Sequence, residues 1–183
     1  MSHHKRHRSL NSEDDCEIKP EPILLDGPCA SGSRGALIIV RFLFNIPQFG
    51  IIKDQDPTPN IQGKRRLGFP YGGMEPEDVT ITTTASRELA EEMFSRNGVH
   101  VEFRKDAIIG EIPTGVNHTM VVLTVDVAPE YYSRIAPGKE QEAAFAVPGQ
   151  KIDEYINDGI FLTDHAKAWQ IYKSLFSSKL SQI

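Results

Sequence analysis

Three glutamates, Glu88, Glu91 and Glu92, lie in the stretch "ASRELAEEMF", where Ala85, Leu89 and Met93 recur at helical spacing. Residues three and four apart on a helix are neighbours, so the three carboxylates share one patch of surface. They repel one another there. They also occupy the C-terminal half of the helix, where the backbone dipole disfavours anions. A divalent cation reverses both penalties, because Mg²⁺ and Mn²⁺ prefer hard oxygens from several carboxylates. The ordinary alternative is a solvated face: glutamate is a good helix former, and Arg87 can pair with Glu91 at i, i+4.

The residues ahead of the helix favour the cation. "FPYGG", residues 69–73, reads as a strand end running into a glycine turn, and Gly72-Gly73 can bring bare backbone carbonyls close to a ligand. A strand, a glycine turn and an acid-faced helix in this order resemble the Nudix hydrolases, whose box reads G-x5-E-x7-R-E-U-x-E-E-x-G-U with U a bulky apolar residue. Counting from Gly73 places "RELAEE", Arg87 to Glu92, on the catalytic half in full. The resemblance covers roughly residues 35–178. Two positions depart from it. The first box glutamate falls on Val79, with Glu75, Glu77 and Asp78 just before it, which puts support for Arg87 in doubt. The terminal G-U falls on Phe94-Ser95, and the pattern is expected to resume at Gly98-Val99 after one further helical turn.

The resemblance implies a role for each matching residue. Glu88 and Glu92 would be the main ligands of Mg²⁺ or Mn²⁺, and the Gly72 carbonyl would complete the shell. Glu91 would bind a second ion or orient the attacking water, and Arg87 would position the carboxylates. A further glutamate, as ligand or base, is expected before the last strand; "PGKEQEAAFAV" offers Glu140 and Glu142, with Glu140 preferred on spacing. Lys64, Arg65 and Arg66 could hold outer phosphates, or serve only solubility. His118 and His165 are lone histidines best read as structural, and Trp169 as core.

The substrate class implied is a nucleoside diphosphate linked to another group: a nucleoside triphosphate, ADP-ribose or another sugar nucleotide, a dinucleoside polyphosphate or an RNA 5′ end. "FPYGG" is similar to the RNA pyrophosphohydrolase branch, and Pro113 faintly to a proline of the ADP-ribose branch; neither selects a substrate. A nucleotide sensor on the same fold, without turnover, is the rival motivated by Val79. Isopentenyl diphosphate isomerase shares the fold but needs a reactive cysteine, and Cys16 and Cys29 lie outside the expected core.

The elements that must position these groups follow from periodicity. "RGALIIVRFLF", 34–44, reads as a buried strand, and a short strand and a Pro/Gly-punctuated loop lead to the glycine turn. A helix is expected from about residue 80 to Arg96, capped by Thr80 or Thr82 and stopped by Asn97-Gly98. "VHVEFRKDAIIGEIP" and "HTMVVLTVDVA" alternate as strands, "APEYYSRIAPGKEQE" reads as a polar loop, and "AAFAV" as a last short strand. Helices near 152–157 and 164–177 close the chain. This order predicts an α/β fold, a Nudix-type α/β/α sandwich around a mixed sheet, over 35–183, behind a flexible extension at 1–34 rich in charge, Pro, Gly and Ser.

The whole chain sets wider bounds. Its 183 residues suit one domain with a tail, and 25% charged against 39% apolar residues fit a soluble globular protein. Net charge is −5, which argues against a broad nucleic-acid footprint and makes an RNA end the less favoured substrate. "HHKRHR" reads as a solvated tail. No apolar run approaches a membrane span, and the start lacks a secretory pattern. Two cysteines without a CxxC read as reduced thiols in a cytoplasmic protein. A homodimer is left open.

Overall fold

A computed structural model of the chain describes residues 33–55, 66–96, 98–115 and 117–180. It begins with β1 (Ser33–Phe42), whose residues from Arg34 to Val40 are all buried. β1 is the central strand, with β2 (Gln48–Asp54) on one side and β6 (His118–Val127) on the other. Ten consecutive residue pairs join β1 to β6 in parallel, while β1 meets β2 and β4 (Tyr71–Gly73) antiparallel. β3 (Leu67–Gly68) and β7 (Gln141–Pro148) flank β2, and β5 (Ile108–Gly115) pairs with β6. The expected mixed sheet is present.

Alternation along β1 divides the core. Ala36, Ile38 and Val40 face α1 (Ile81–Met93), whose buried side is Ile81, Ala85, Leu89 and Met93. Leu37 and Ile39 face the opposite layer, where α2 (Gly149–Asn157) contributes Ile152 and α3 (Thr163–Leu180) contributes Ala168, Trp169 and Tyr172. Helices on both faces make the α/β/α sandwich. Trp169 stacks on Tyr172 at 5.3 Å and meets Phe49 edge-on, so it is core, as its place on an apolar helix face suggested. His165 is buried as well. Its Nδ1 accepts a 2.9 Å bond from the Phe69 N–H, and burial pushes its pKa down to about 3. No helix among the described residues is long and apolar enough to cross a membrane.

Three expectations are corrected. The segment 99–107 is not a strand: Gly98 turns the chain at φ 57°, a 3-10 turn occupies Lys105–Ala107, and pairing with β6 begins only at Ile108. The polar loop before the last strand contains a 3-10 turn at Pro129–Arg134. The helix that carries the glutamates ends at Met93 rather than Arg96, without an added turn. Phe94 leaves the helical path because its ring is buried to 1% exposure and its backbone bridges Ala136. The early threonines start the helix well: the Thr83 N–H donates to Thr80 Oγ1 at 3.2 Å, and the Thr80 N–H to Thr83 Oγ1 at 3.0 Å.

Candidate active site

β1, β4 and α1 converge on the glycine turn. β4 hydrogen-bonds along β1 with Ala36 opposite Gly72, so the turn is held against the strand that carries the core. The Glu88 carboxylate lies directly on Gly72, where a Cβ would overlap its oxygens. Only glycine leaves that space. The Gly72 carbonyl lies beside Gly35, 2.7 Å from where a Cβ on Gly35 would stand.

The three box glutamates differ in environment. Glu88 and Glu92 are each 8% exposed, whereas the Glu91 side chain is 60% exposed. Glu92 is held at both oxygens: the Tyr71 N–H donates to Oε2 at 2.7 Å and Gln141 Nε2 to Oε1 at 2.6 Å. Burial nonetheless pushes its pKa up to about 9, the Tyr71 N–H opposing and the charges of Glu88, Asp54 and Glu140 adding. Glu88 accepts from Arg87 at 2.8 Å, and burial pushes it to about 7 against that pull. A cluster of acids with protons held this firmly is short of positive charge.

Arg87 is anchored from several sides. It donates to the Gly73 carbonyl at 2.9 Å, to Asp78 at 2.9 Å and to Glu88, with Glu91 at 3.4 Å. Asp78 is the partner that sequence reasoning left unassigned. Its side chain is 7% exposed and also accepts from the Glu75 N–H and the Thr84 hydroxyl. Burial acts to raise its pKa, but Arg87 and these two donors outweigh it and hold the carboxyl below its usual value. Val79, at the box position, is 75% exposed. The acid supporting Arg87 stands one residue earlier, within the group Glu75, Glu77 and Asp78 already visible in the sequence.

The loop before β7 closes the other side. The Ala136 N–H donates to the Met93 carbonyl at 2.8 Å and the Gly138 N–H to the Glu92 carbonyl at 3.3 Å. These bonds satisfy the last carbonyls of α1. They also weaken the unfavourable dipole beneath the acids. Gly138 lies too close to the Glu91 carbonyl for any side chain. The loop and helix bound a cleft of about 860 Å³ lined by Glu75, Arg87, Glu88, Glu91, Glu92 and Glu140. Glu142 does not line it; its carboxylate pairs with Lys53 at 2.7 Å and Arg66 at 2.5 Å. Arg66 also donates through Nε to the Asp54 carbonyl at 2.8 Å. Lys64 and Arg65 lie outside the described residues, as do Cys16 and Cys29.

Among the described residues no three His, Cys, Asp or Glu side chains form a ready-made cation cage. The donor set still suits a hard divalent ion. Glu88 and Glu92 are neighbouring oxygen donors raised in pKa chiefly by burial, and a dication would take the place of their protons.

No family model matches the chain, and no curated protein matches it. Solved structures do. The NUDIX domain of Shewanella oneidensis NrtR, complexed with ADP-ribose, superposes with a TM-score of 0.59 over 80% of this chain and 89% of its own, at 10% identity. A C. elegans Ap4A hydrolase in a binary complex gives 0.59 over 80% and 98%, also at 10% identity. A mutT/nudix family protein from Listeria innocua gives 0.58 over 85% and 100%, at 15% identity. The chain therefore has the Nudix fold.

Proposed function

We propose that this protein is a Nudix pyrophosphohydrolase, dependent on Mg²⁺ or Mn²⁺, that cleaves the pyrophosphate bond of a nucleoside diphosphate-linked substrate. The observation that carries the reading is the burial of Glu88, against Gly72, and of Glu92, one helical turn on, at the wall of an open cleft. Burying two neighbouring carboxylates that share one cation, Arg87 on Glu88, is costly. ADP-ribose, bound in one of the structural neighbours, and Ap4A, for which another is named as a hydrolase, both contain a nucleotide pyrophosphate, which suits a cleft of this chemistry.

In this reading Glu88 and Glu92 hold the cation, with Glu91, Glu140 and the Gly72 carbonyl as further donors. A bound dication would screen phosphate charge and lower the pKa of water. The chain does the positioning. Tyr71 and Gln141 fix the Glu92 oxygens, and Arg87, clamped by Asp78 and Gly73, fixes Glu88. Glu91 and Glu140 are exposed to the cleft, where a carboxylate can orient or deprotonate a water. Arg66 is occupied by Asp54 and Glu142, so its part in holding phosphates would be secondary.

A hydrolysis screen that reads the nucleotide, phosphate-monoester and pyrophosphate products from nucleoside triphosphates, ADP-ribose, dinucleoside polyphosphates and triphosphorylated RNA, with Mg²⁺ or Mn²⁺, tests the reading. Turnover that requires the cation and disappears in Glu92→Gln is the expected result. Val79 and Phe94, which replace box residues, favour the alternative of a nucleotide sensor. Thermal stabilisation by nucleotides without turnover would select that alternative.

A further inference from the structure

We infer that the cleft carries a second, cationic subsite, made by Arg96 and Lys139, that takes a phosphate beyond the scissile pyrophosphate and so selects chains of three or more phosphates. The inference rests on the pyrophosphohydrolase reading and adds to it a substrate class. Both residues line the same cleft as the glutamates. Its acids at Glu75, Glu88 and Glu91 pair with Arg87. Neither Arg96 nor Lys139 has an ion-pair partner among the described residues. Two cations without an ion-pair partner, standing in the cleft beside the acids that would hold the metal, are placed to meet an anionic group of the substrate.

Their placement is fixed by backbone, although both side chains are exposed. Phe94 bridges Ala136, the Ser95 N–H donates to the Ala136 carbonyl at 3.3 Å, and Ser95 Oγ donates to the Pro137 carbonyl at 2.6 Å. The two segments that bear Arg96 and Lys139 are thus joined immediately beside these residues. Gly138 is packed against the Glu91 carbonyl, which fixes the start of Lys139 next to the acids. Arg96 stands three residues beyond the end of α1 at Met93, and Lys139 directly follows Gly138. A linear chain of three or more phosphates, with one anhydride at the glutamates, has a further phosphate to offer these cations. ADP-ribose has none, because both of its phosphates flank the bond that is cut.

The test compares Arg96→Ala and Lys139→Ala with the unaltered protein on a nucleoside triphosphate, a dinucleoside tetraphosphate and ADP-ribose, at fixed free Mg²⁺. Loss of one charge-assisted phosphate contact should lower the ratio of kcat/KM for the longer chains over ADP-ribose about tenfold, through KM, with Arg96→Lys retaining most of it. Inorganic tripolyphosphate should inhibit more tightly than pyrophosphate, and the variants should erase that difference. An unchanged ratio, or an equal loss for both inhibitors, overturns the subsite. Should the protein hydrolyse none of these substrates, the proposed function fails separately. Calorimetric binding of tripolyphosphate against pyrophosphate then decides the subsite: a preference abolished in both variants supports it, and no preference overturns it.

Discussion

Chelating divalent cations and raising the pH should destabilise this protein, and Glu92 is the reason. Its folded pKa of about 9 exceeds the ordinary value of 4.5. Between those limits the folded chain keeps a proton that the unfolded chain has released, so each rise in pH favours unfolding. The slope is about 1.4 kcal/mol per pH unit. From pH 6 to 8.5 the loss is up to about 3 kcal/mol, or roughly 10 °C in Tm for a chain of this size. Glu88 adds a smaller loss that ends near pH 7. Glu92→Gln removes the larger effect: its amide oxygen can still accept from Tyr71, and Gln141 can turn its own amide to match. In EDTA, thermal unfolding from pH 6 to 9 should show the unaltered protein falling steadily and the variant flat above pH 7. Saturating Mg²⁺ should reverse the order at pH 8.5, stabilising only the chain with an ionisable Glu92. Parallel pH slopes for the two chains in EDTA would show that burial does not hold the Glu92 proton, and the charge-deficit reasoning would fall with it.

Two further substitutions probe the scaffold around the acids. Gly72→Ala places a methyl group where the Glu88 oxygens lie, so calorimetry should find Mn²⁺ affinity reduced at least about tenfold, with a stability loss of about 1–3 kcal/mol from overpacking. Asp78→Asn removes the charge that anchors Arg87 and should cost about 1–3 kcal/mol in urea unfolding while lowering kcat. Val79→Glu, on a side chain already 75% exposed, should stay within about 0.5 kcal/mol; a larger effect from Val79 than from Asp78 would return the support of Arg87 to the box position.

What the sequence made legible was local. The 3.6-residue repeat placed Ala85, Leu89 and Met93 on the core side of α1, and the same repeat grouped the glutamates. The continuous apolar run identified β1, because a strand covered on both faces shows no alternation. The failures are of another kind. The end of α1 is set by Phe94 joining Ala136, and the start of β5 by the register of β6, neither of which leaves a periodic trace. The one-residue shift from Val79 to Asp78 has a similar cause, since a motif counts residues whereas a carboxylate reaches its arginine according to how the preceding turn is folded.

That distinction explains why the acids alone could not separate a cation site from a solvated face. Spacing on a helix shows that Glu88, Glu91 and Glu92 are neighbours, but not whether water surrounds them. The difference is made by groups distant in sequence: Tyr71, 21 residues before Glu92, and Gln141, 49 residues after it, which hold the carboxylate where solvent cannot compensate its charge. The same loop that brings Gln141 also caps the carbonyls of Glu92 and Met93, which makes an acidic helix end tolerable. Glu91, on the same helix and in the same run, lacks those partners and remains open to water. Two residues side by side in one motif thus have opposite physical characters. In the proposed reading the buried one holds the cation, and the exposed one acts on what enters the cleft.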